Sequence, residues 1–153
     1  MLQETMHDWL ETIAYFRRMF PMWHISAKEA TRLSWGLAVL WDPSWISART
    51  FRCIDGILIL EKFWGMDTPI NILNVYAPYK DKSIYWNQFL ASEIMEIDSL
   101  LIARDLNCSL SSNEVWGKGR KVDPVGGSIR EALLRYNFVD ICPSILAPSI
   151  HYS

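Results

Sequence analysis

Apolar and polar positions along the chain follow two periods. Trp9, Ile13, Phe16 and Phe20 recur at helical intervals until Pro21 stops the pattern, and Thr5 and Asp8 stand at capping-box spacing just ahead of it. A second helical stripe follows Ser83 through Trp86, Phe89, Leu90, Ile94 and Ile97. A third follows a capping box at Ser128 and Glu131, with Ala132, Leu133 and Tyr136 on its face and Asn137 as a left-handed C-terminal cap. The spacing predicts helices near residues 5–20, 83–98 and 128–136. Between them lie strand-like runs: GLAVLW at 36–41, TFRCI from Thr50, ILILEKF from Ile57, INILNVY from Ile70 and SLLIARDLN from Ser99.

Turn residues punctuate these runs. Asp42-Pro43 ends the first, and Asp55-Gly56 reads as a hairpin, with the glycine accepting the positive φ of a type I′ turn. Strands next to strands with helices interspersed predict an α/β fold, as a mixed sheet or a pair of packed sheets flanked by helices. The Asp-Gly turn implies an antiparallel pair and so argues against a purely parallel doubly wound sheet. No repeat, low-complexity tract or long linker interrupts the chain, so residues 1–153 read as one domain.

Composition narrows the class. With 153 residues, half of them hydrophobic and 21% charged, the chain can bury a core, which argues against disorder. A formal net charge of −2 provides no global positive field for nucleic acid, so any polyanion contact must be local. The densest local supply of cations is Arg104, Lys118, Arg120, Lys121, Arg130 and Arg135, offset by Asp105, Glu114, Asp123 and Glu131. Cys53, Cys108 and Cys142 are odd in number and widely spaced, which indicates neither a disulfide framework nor a zinc site and suggests a reducing compartment. The acidic start MLQETMHDWLE is unlike a secretion signal, and no apolar run reaches membrane-spanning length. The expectation is a cytoplasmic or nuclear protein with no membrane partner.

The candidate chemistry sits where strands end. Alternate residues of a strand share a face, so Asp105 and Asn107 are expected to project together while Leu106 points to the core. The same rule puts Asn74 and Tyr76 on one face, just before Ala77-Pro78 ends their strand, and Glu4 precedes the first helix. Each residue also has a plain structural reading. Asp105 and Asn107 are good turn formers, Glu4 suits the first turn of a helix, and Tyr76 suits a half-buried strand.

Five segments in order, LQET at 2–5, GLAVLWDP at 36–43, LNVYAPY at 73–79, RDLNCSLSSNEVWG at 104–117 and NFVDICPS at 137–144, resemble the endonuclease/exonuclease/phosphatase superfamily. The resemblance is strongest to the apurinic-endonuclease-like domain of plant LINE-type (non-LTR) retrotransposons, and it covers nearly the whole chain. It implies a four-layer α/β sandwich that hydrolyses phosphodiesters in DNA with Mg²⁺, or alternatively Mn²⁺. By that resemblance Glu4 is the metal ligand and Tyr76 hydrogen-bonds the phosphate. Asp105 orients the attacking water or protonates the leaving group, and Asn107 donates to a phosphate oxygen.

The chain departs from the family pattern at several places. Arg104 and Leu106 replace the glycine and phenylalanine of Gly-Asp-Phe-Asn, Trp35 stands for a glycine, and Met6 for a lysine. The family's Asn strand ahead of Gln-Glu-Thr and its terminal Ser-Asp-His have no counterpart, so the expectation is a partial sandwich lacking its first and last strands. His7, His24 and His151 carry no sign of an orienting partner that would make one of them the missing base. Two readings follow: a Mg²⁺-dependent endonuclease, or a catalytically inactive retrotransposon-derived fragment. Activity on another phosphoester is a third, since the fold alone does not select the substrate. Unpaired sheet edges would favour self-association.

Overall fold

A computed structural model of the chain describes residues 1–3, 5, 8–29, 36–53, 56–115 and 123–139. The chain divides into two compact units, residues 1–107 and 108–153.

In the first unit, helix α1 (Trp9–Met19) begins four residues after its expected start near residue 5. The Asp8 carboxylate accepts the Glu11 N–H at 2.9 Å, so Asp8 is itself the cap. Thr5 instead donates its N–H to the Gly36 carbonyl at 3.0 Å, which ties it to the chain ahead of the second strand. Trp9, Ile13, Phe16 and Phe20 are half-buried, as their spacing predicts, and Thr12 is buried on the same face. Strand β1 (His24–Lys28) has no apolar alternation strong enough to announce it. It pairs antiparallel with β2 (Leu37–Trp41). Leu2 flanks β2 on its other side, exchanging two backbone hydrogen bonds of 2.8 and 3.1 Å with Ala38. The Asp42 carboxylate, which accepts the Ser44 hydroxyl and N–H and is held below its ordinary pKa by those bonds, turns the chain after β2.

A second sheet has the order β3 (Ile46–Cys53), β4 (Gly56–Phe63), β5 (Ile70–Tyr76) and β6 (Leu100–Asp105). Its first three strands are antiparallel and the last pair is parallel, so the sheet is mixed. The expected hairpin is present, with Cys53 opposite Gly56; Asp55 lies outside the described residues. The role expected for the glycine is corrected. Gly56 is a strand residue outside the left-handed region, and a Cβ there would stand 3.1 Å from the Asn74 carbonyl oxygen. Close approach of neighbouring backbone, not a positive φ, is what requires a glycine here.

The two sheets pack face to face. Leu37 and Val39 meet Ile57 and Ile59, with Trp41, Ala48, Ile72 and Tyr76 around them. The fold class is therefore α/β, built on a two-stranded and a four-stranded sheet with helices. The single helix expected at 83–98 is two elements, α2 (Lys82–Leu90) and a 3-10 turn at Glu93–Glu96. Ser92 breaks the run by donating its hydroxyl to the Phe89 carbonyl at 2.6 Å, the competition for backbone groups that makes serine a poor interior residue. As a result Met95 is buried, while Ile94 and Ile97 are only half-buried.

In the second unit, α3 (Pro124–Arg135) starts four residues before the capping box expected at Ser128 and Glu131. Asp123 is the cap and accepts the Val125 N–H at 3.1 Å, and Pro124 fits the first turn, where no intrahelical N–H is needed. Gly126-Gly127 resembles a break, yet both residues are helical. Asn137 closes α3 as expected, at φ 61°, with its N–H on the Leu134 carbonyl at 3.0 Å and the Phe138 N–H on the Leu133 carbonyl at 2.9 Å. Among the described residues no helix is long and apolar enough to cross a membrane.

Candidate functional site

Because β5 and β6 are parallel, their C-terminal ends lie side by side, and the register sets Tyr76 directly beside Asp105. Side chains at paired positions share a face, so the structure brings these two predicted residues together. Tyr76 is half-buried against the core between the sheets, whereas Asp105 is exposed.

Asn107 reaches the same place by a different route from the one expected. β6 ends at Asp105, and Asn107 has φ 48°, so strand alternation does not carry its side chain to the Asp105 face. The link is instead a turn. Asp105 Oδ1 accepts the Asn107 N–H at 2.8 Å, the Asn107 side-chain amide donates to the Ala77 carbonyl, and the Ala77 N–H donates to the Asp105 carbonyl at 2.8 Å. Asparagine is among the few residues with a side chain that occupy this left-handed conformation at modest cost. Leu106 points to the core as expected and is 4% exposed.

Next to this corner is a buried amide network that strand-end reasoning missed. Gln3 Nε2 donates to Asn74 Oδ1 and to the Val75 carbonyl, each at 3.0 Å, and Asn74 Nδ2 donates to the Leu2 carbonyl at 3.3 Å. Asn74 shares the Tyr76 face, as the alternation predicts, but it is 1% exposed and its amide is committed to the N-terminal segment. The available signal was an asparagine inside an otherwise apolar strand, since a buried amide needs partners.

Glu4 lies outside the described residues, as do His7, His151, Lys118, Arg120 and Lys121. The residues on either side of position 4 are tied down, Gln3 to β5 and Thr5 to Gly36. His24 rests edge-on against Trp41, with ring centroids 5.4 Å apart.

For a Mg²⁺ ion the relevant test is the donor chemistry. Among the described residues no three His, Cys, Asp or Glu side chains converge. Mg²⁺ does not require that, because it commonly binds through one or two carboxylates and keeps several waters. The exposed Asp105 carboxylate and the Asn107 amide oxygen are hard oxygen donors, so the corner suits such an ion when a second carboxylate is supplied.

A separate acid lies far from this corner. Glu61 is buried on the face between the sheets, paired with Ile70 at the start of β5, and burial pushes its carboxyl above the ordinary range. Its Oε1 has no hydrogen-bond partner among the described residues. Six residues of β5, roughly 20 Å, separate that pairing from Tyr76. In comparisons with known proteins, the chain matches no family model and no curated protein.

Proposed function

We propose that the chain carries the site of a Mg²⁺-dependent phosphodiesterase of the endonuclease/exonuclease/phosphatase type, with DNA as substrate. The observation that carries this reading is the in-register pairing of Tyr76 with Asp105 at the ends of parallel strands, with Asn107 bonded to Asp105. Ends of parallel strands are where α/β sheets gather their chemistry. The order of the five sequence segments supports the same reading.

In this proposal Glu4 would hold the ion beside the corner, where it would supply Lewis-acid polarisation of the phosphate when bound. The Tyr76 hydroxyl donates to a non-bridging phosphate oxygen. Asp105 is exposed and anchored at one oxygen by the Asn107 N–H, which leaves a carboxylate of fixed orientation to align water or protonate the leaving group. The Asn107 amide has two hydrogens; one on the Ala77 carbonyl fixes the plane and the other is directed to the phosphate, where it stabilises developing charge.

A second reading is an inactive, retrotransposon-derived fragment. It is favoured by the same corner, because a side-chain amide on Ala77 and a carboxylate on a backbone N–H two residues on are what a simple turn needs. Nicking of supercoiled plasmid by the folded chain, with and without Mg²⁺, separates the two. Metal-dependent nicking abolished by Asp105→Ala supports the nuclease. A folded, monomeric chain that leaves the plasmid supercoiled supports the inactive fragment.

A further inference from the structure

The β3–β4 hairpin turns one face inward; on the other, Ser47, Arg49, Phe51 and Lys62 are exposed, whereas Leu58 is buried and Leu60 half-buried. Ala48, Ile57 and Ile59 lie on the inner face, within the core between the sheets. The alternate positions, Ser47 opposite Lys62, Arg49 opposite Leu60 and Phe51 opposite Leu58, therefore lie on the outer face. At the open end of the hairpin the Trp64 N–H donates to the Trp45 carbonyl at 3.0 Å and extends the ladder by one step, and the Trp64 indole donates to the Pro43 carbonyl at 3.5 Å. Three large aromatic side chains stand out along this strip, Trp45 at 69%, Trp64 at 60% and Phe51 at 47% exposure, with the exposed cations Arg49 and Lys62 between them.

No residue of the strip is acidic. Glu61 points to the opposite face, and the Asp42 carboxylate, three residues before Trp45, is engaged by Ser44. A local cationic surface interleaved with exposed rings is thus present on a chain whose net charge is −2. That combination matches one ligand chemistry, a strand of stacked bases linked by phosphates. Exposed rings accept unpaired bases face to face, and cations beside them neutralise the backbone. A duplex hides its base faces in its own stack and would have no use for the rings. A second copy of the chain is a poor occupant, because two-fold pairing of this face would bring two Arg49 and two Lys62 together without a carboxylate to separate them.

We propose that the outer face of the β3–β4 hairpin binds single-stranded DNA, with Trp45, Trp64 and Phe51 as stacking platforms and Arg49 and Lys62 as phosphate contacts. The strip from Trp45 to Phe51 is roughly 20 Å long, enough for about four nucleotides, the lower end of the site sizes of single-strand-binding sheets. Only the choice of DNA over RNA rests on the proposed nuclease reading; the face stands apart from the Tyr76 and Asp105 corner.

The test is fluorescence anisotropy of a labelled oligodeoxythymidine 12-mer titrated with the full chain in EDTA, so that hydrolysis plays no part. Tryptophan emission and sedimentation are recorded on the same samples. Binding with quenched emission that weakens as salt rises is expected. Trp45→Ala with Trp64→Ala should weaken it ten-fold or more, and Arg49→Glu with Lys62→Glu should weaken it and flatten the salt dependence. All four side chains are exposed, so unchanged circular dichroism and melting will show that the variants are folded. Oligonucleotide affinity indifferent to both double variants would overturn the proposal. So would self-association removed by the tryptophan pair in a chain that ignores the 12-mer, or ten-fold tighter binding of oligouridine.

Discussion

Gln3 and Asn74 are 71 positions apart, and their side-chain amides meet at 3.0 Å. Asn74 also holds the Leu2 carbonyl, so one buried amide fastens the N-terminal segment, which pairs with β2, to the end of β5. Asn74→Ala should destabilise the first unit by about 2–3 kcal/mol, because it leaves the Gln3 amide and the Leu2 carbonyl without this partner inside the fold. Gln3→Ala should cost about 1 kcal/mol. Urea denaturation of both variants and of the double variant measures their coupling, and strictly additive losses would show that the amides act independently.

That network shows why the sequence revealed some features and concealed others. Helix and strand periods follow from burial of one face, so α1, β2, β4 and β5 were legible from residues such as Phe16, Val39, Ile59 and Ile72. Asp105 and Tyr76 were legible as neighbours only by resemblance, since nothing local announces that β5 and β6 pair in parallel. The partner of Asn74 was invisible because a contact across 71 residues leaves no local pattern. β1 was missed because His24, Ser26 and Lys28 alternate with only Ile25 and Ala27, too few apolar positions to mark a strand.

Local rules also misplaced the start of α3, where two adjacent glycines have opposite environments. A Cβ on Gly126 would lie 1.9 Å from the Ser109 carbonyl oxygen, while one on Gly127 would meet open space. Gly126→Ala should therefore force the helix off the Ser109 backbone and destabilise the second unit by about 1–3 kcal/mol. Gly127→Ala should stabilise it by about 0.5–1 kcal/mol through helix propensity alone. Thermal melts of the two variants should move in opposite directions, and equal shifts would show that the close approach is absent.

Glu61 makes a pH-dependent contribution whose sign follows from its surroundings. Burial raises its folded-state pKa above the reference value of 4.5, so between that value and the raised one the native state binds more protons than the unfolded chain. The stability contributed by the protonated carboxyl is complete below pH 4.5 and is lost as pH rises through the folded-state pKa. Its slope is at most about 1.4 kcal/mol per pH unit. Glu61→Gln should remove that decline and leave the variant more stable than the parent at neutral pH. Urea midpoints across the range, for both chains, will show whether the two curves diverge on the alkaline side as this requires.

Asn107 allows its two roles to be separated. Its φ of 48° is one glycine accepts freely, so Asn107→Gly keeps the backbone of the corner and deletes only the side-chain amide and its bond to Ala77. The backbone N–H on Asp105 survives the change. Stability should fall by about 1–3 kcal/mol, because the carbonyl of buried Ala77 loses this partner. If the amide stabilises charge on a phosphate, Mg²⁺-dependent nicking should fall by about a hundred-fold or more in this well-folded variant. Asn107→Ala should lose as much activity and somewhat more stability, because alanine resists the left-handed conformation. A glycine variant that nicks plasmid as fast as the parent would reduce Asn107 to a turn residue and leave Asp105 and Tyr76 as the functional pair at the strand ends.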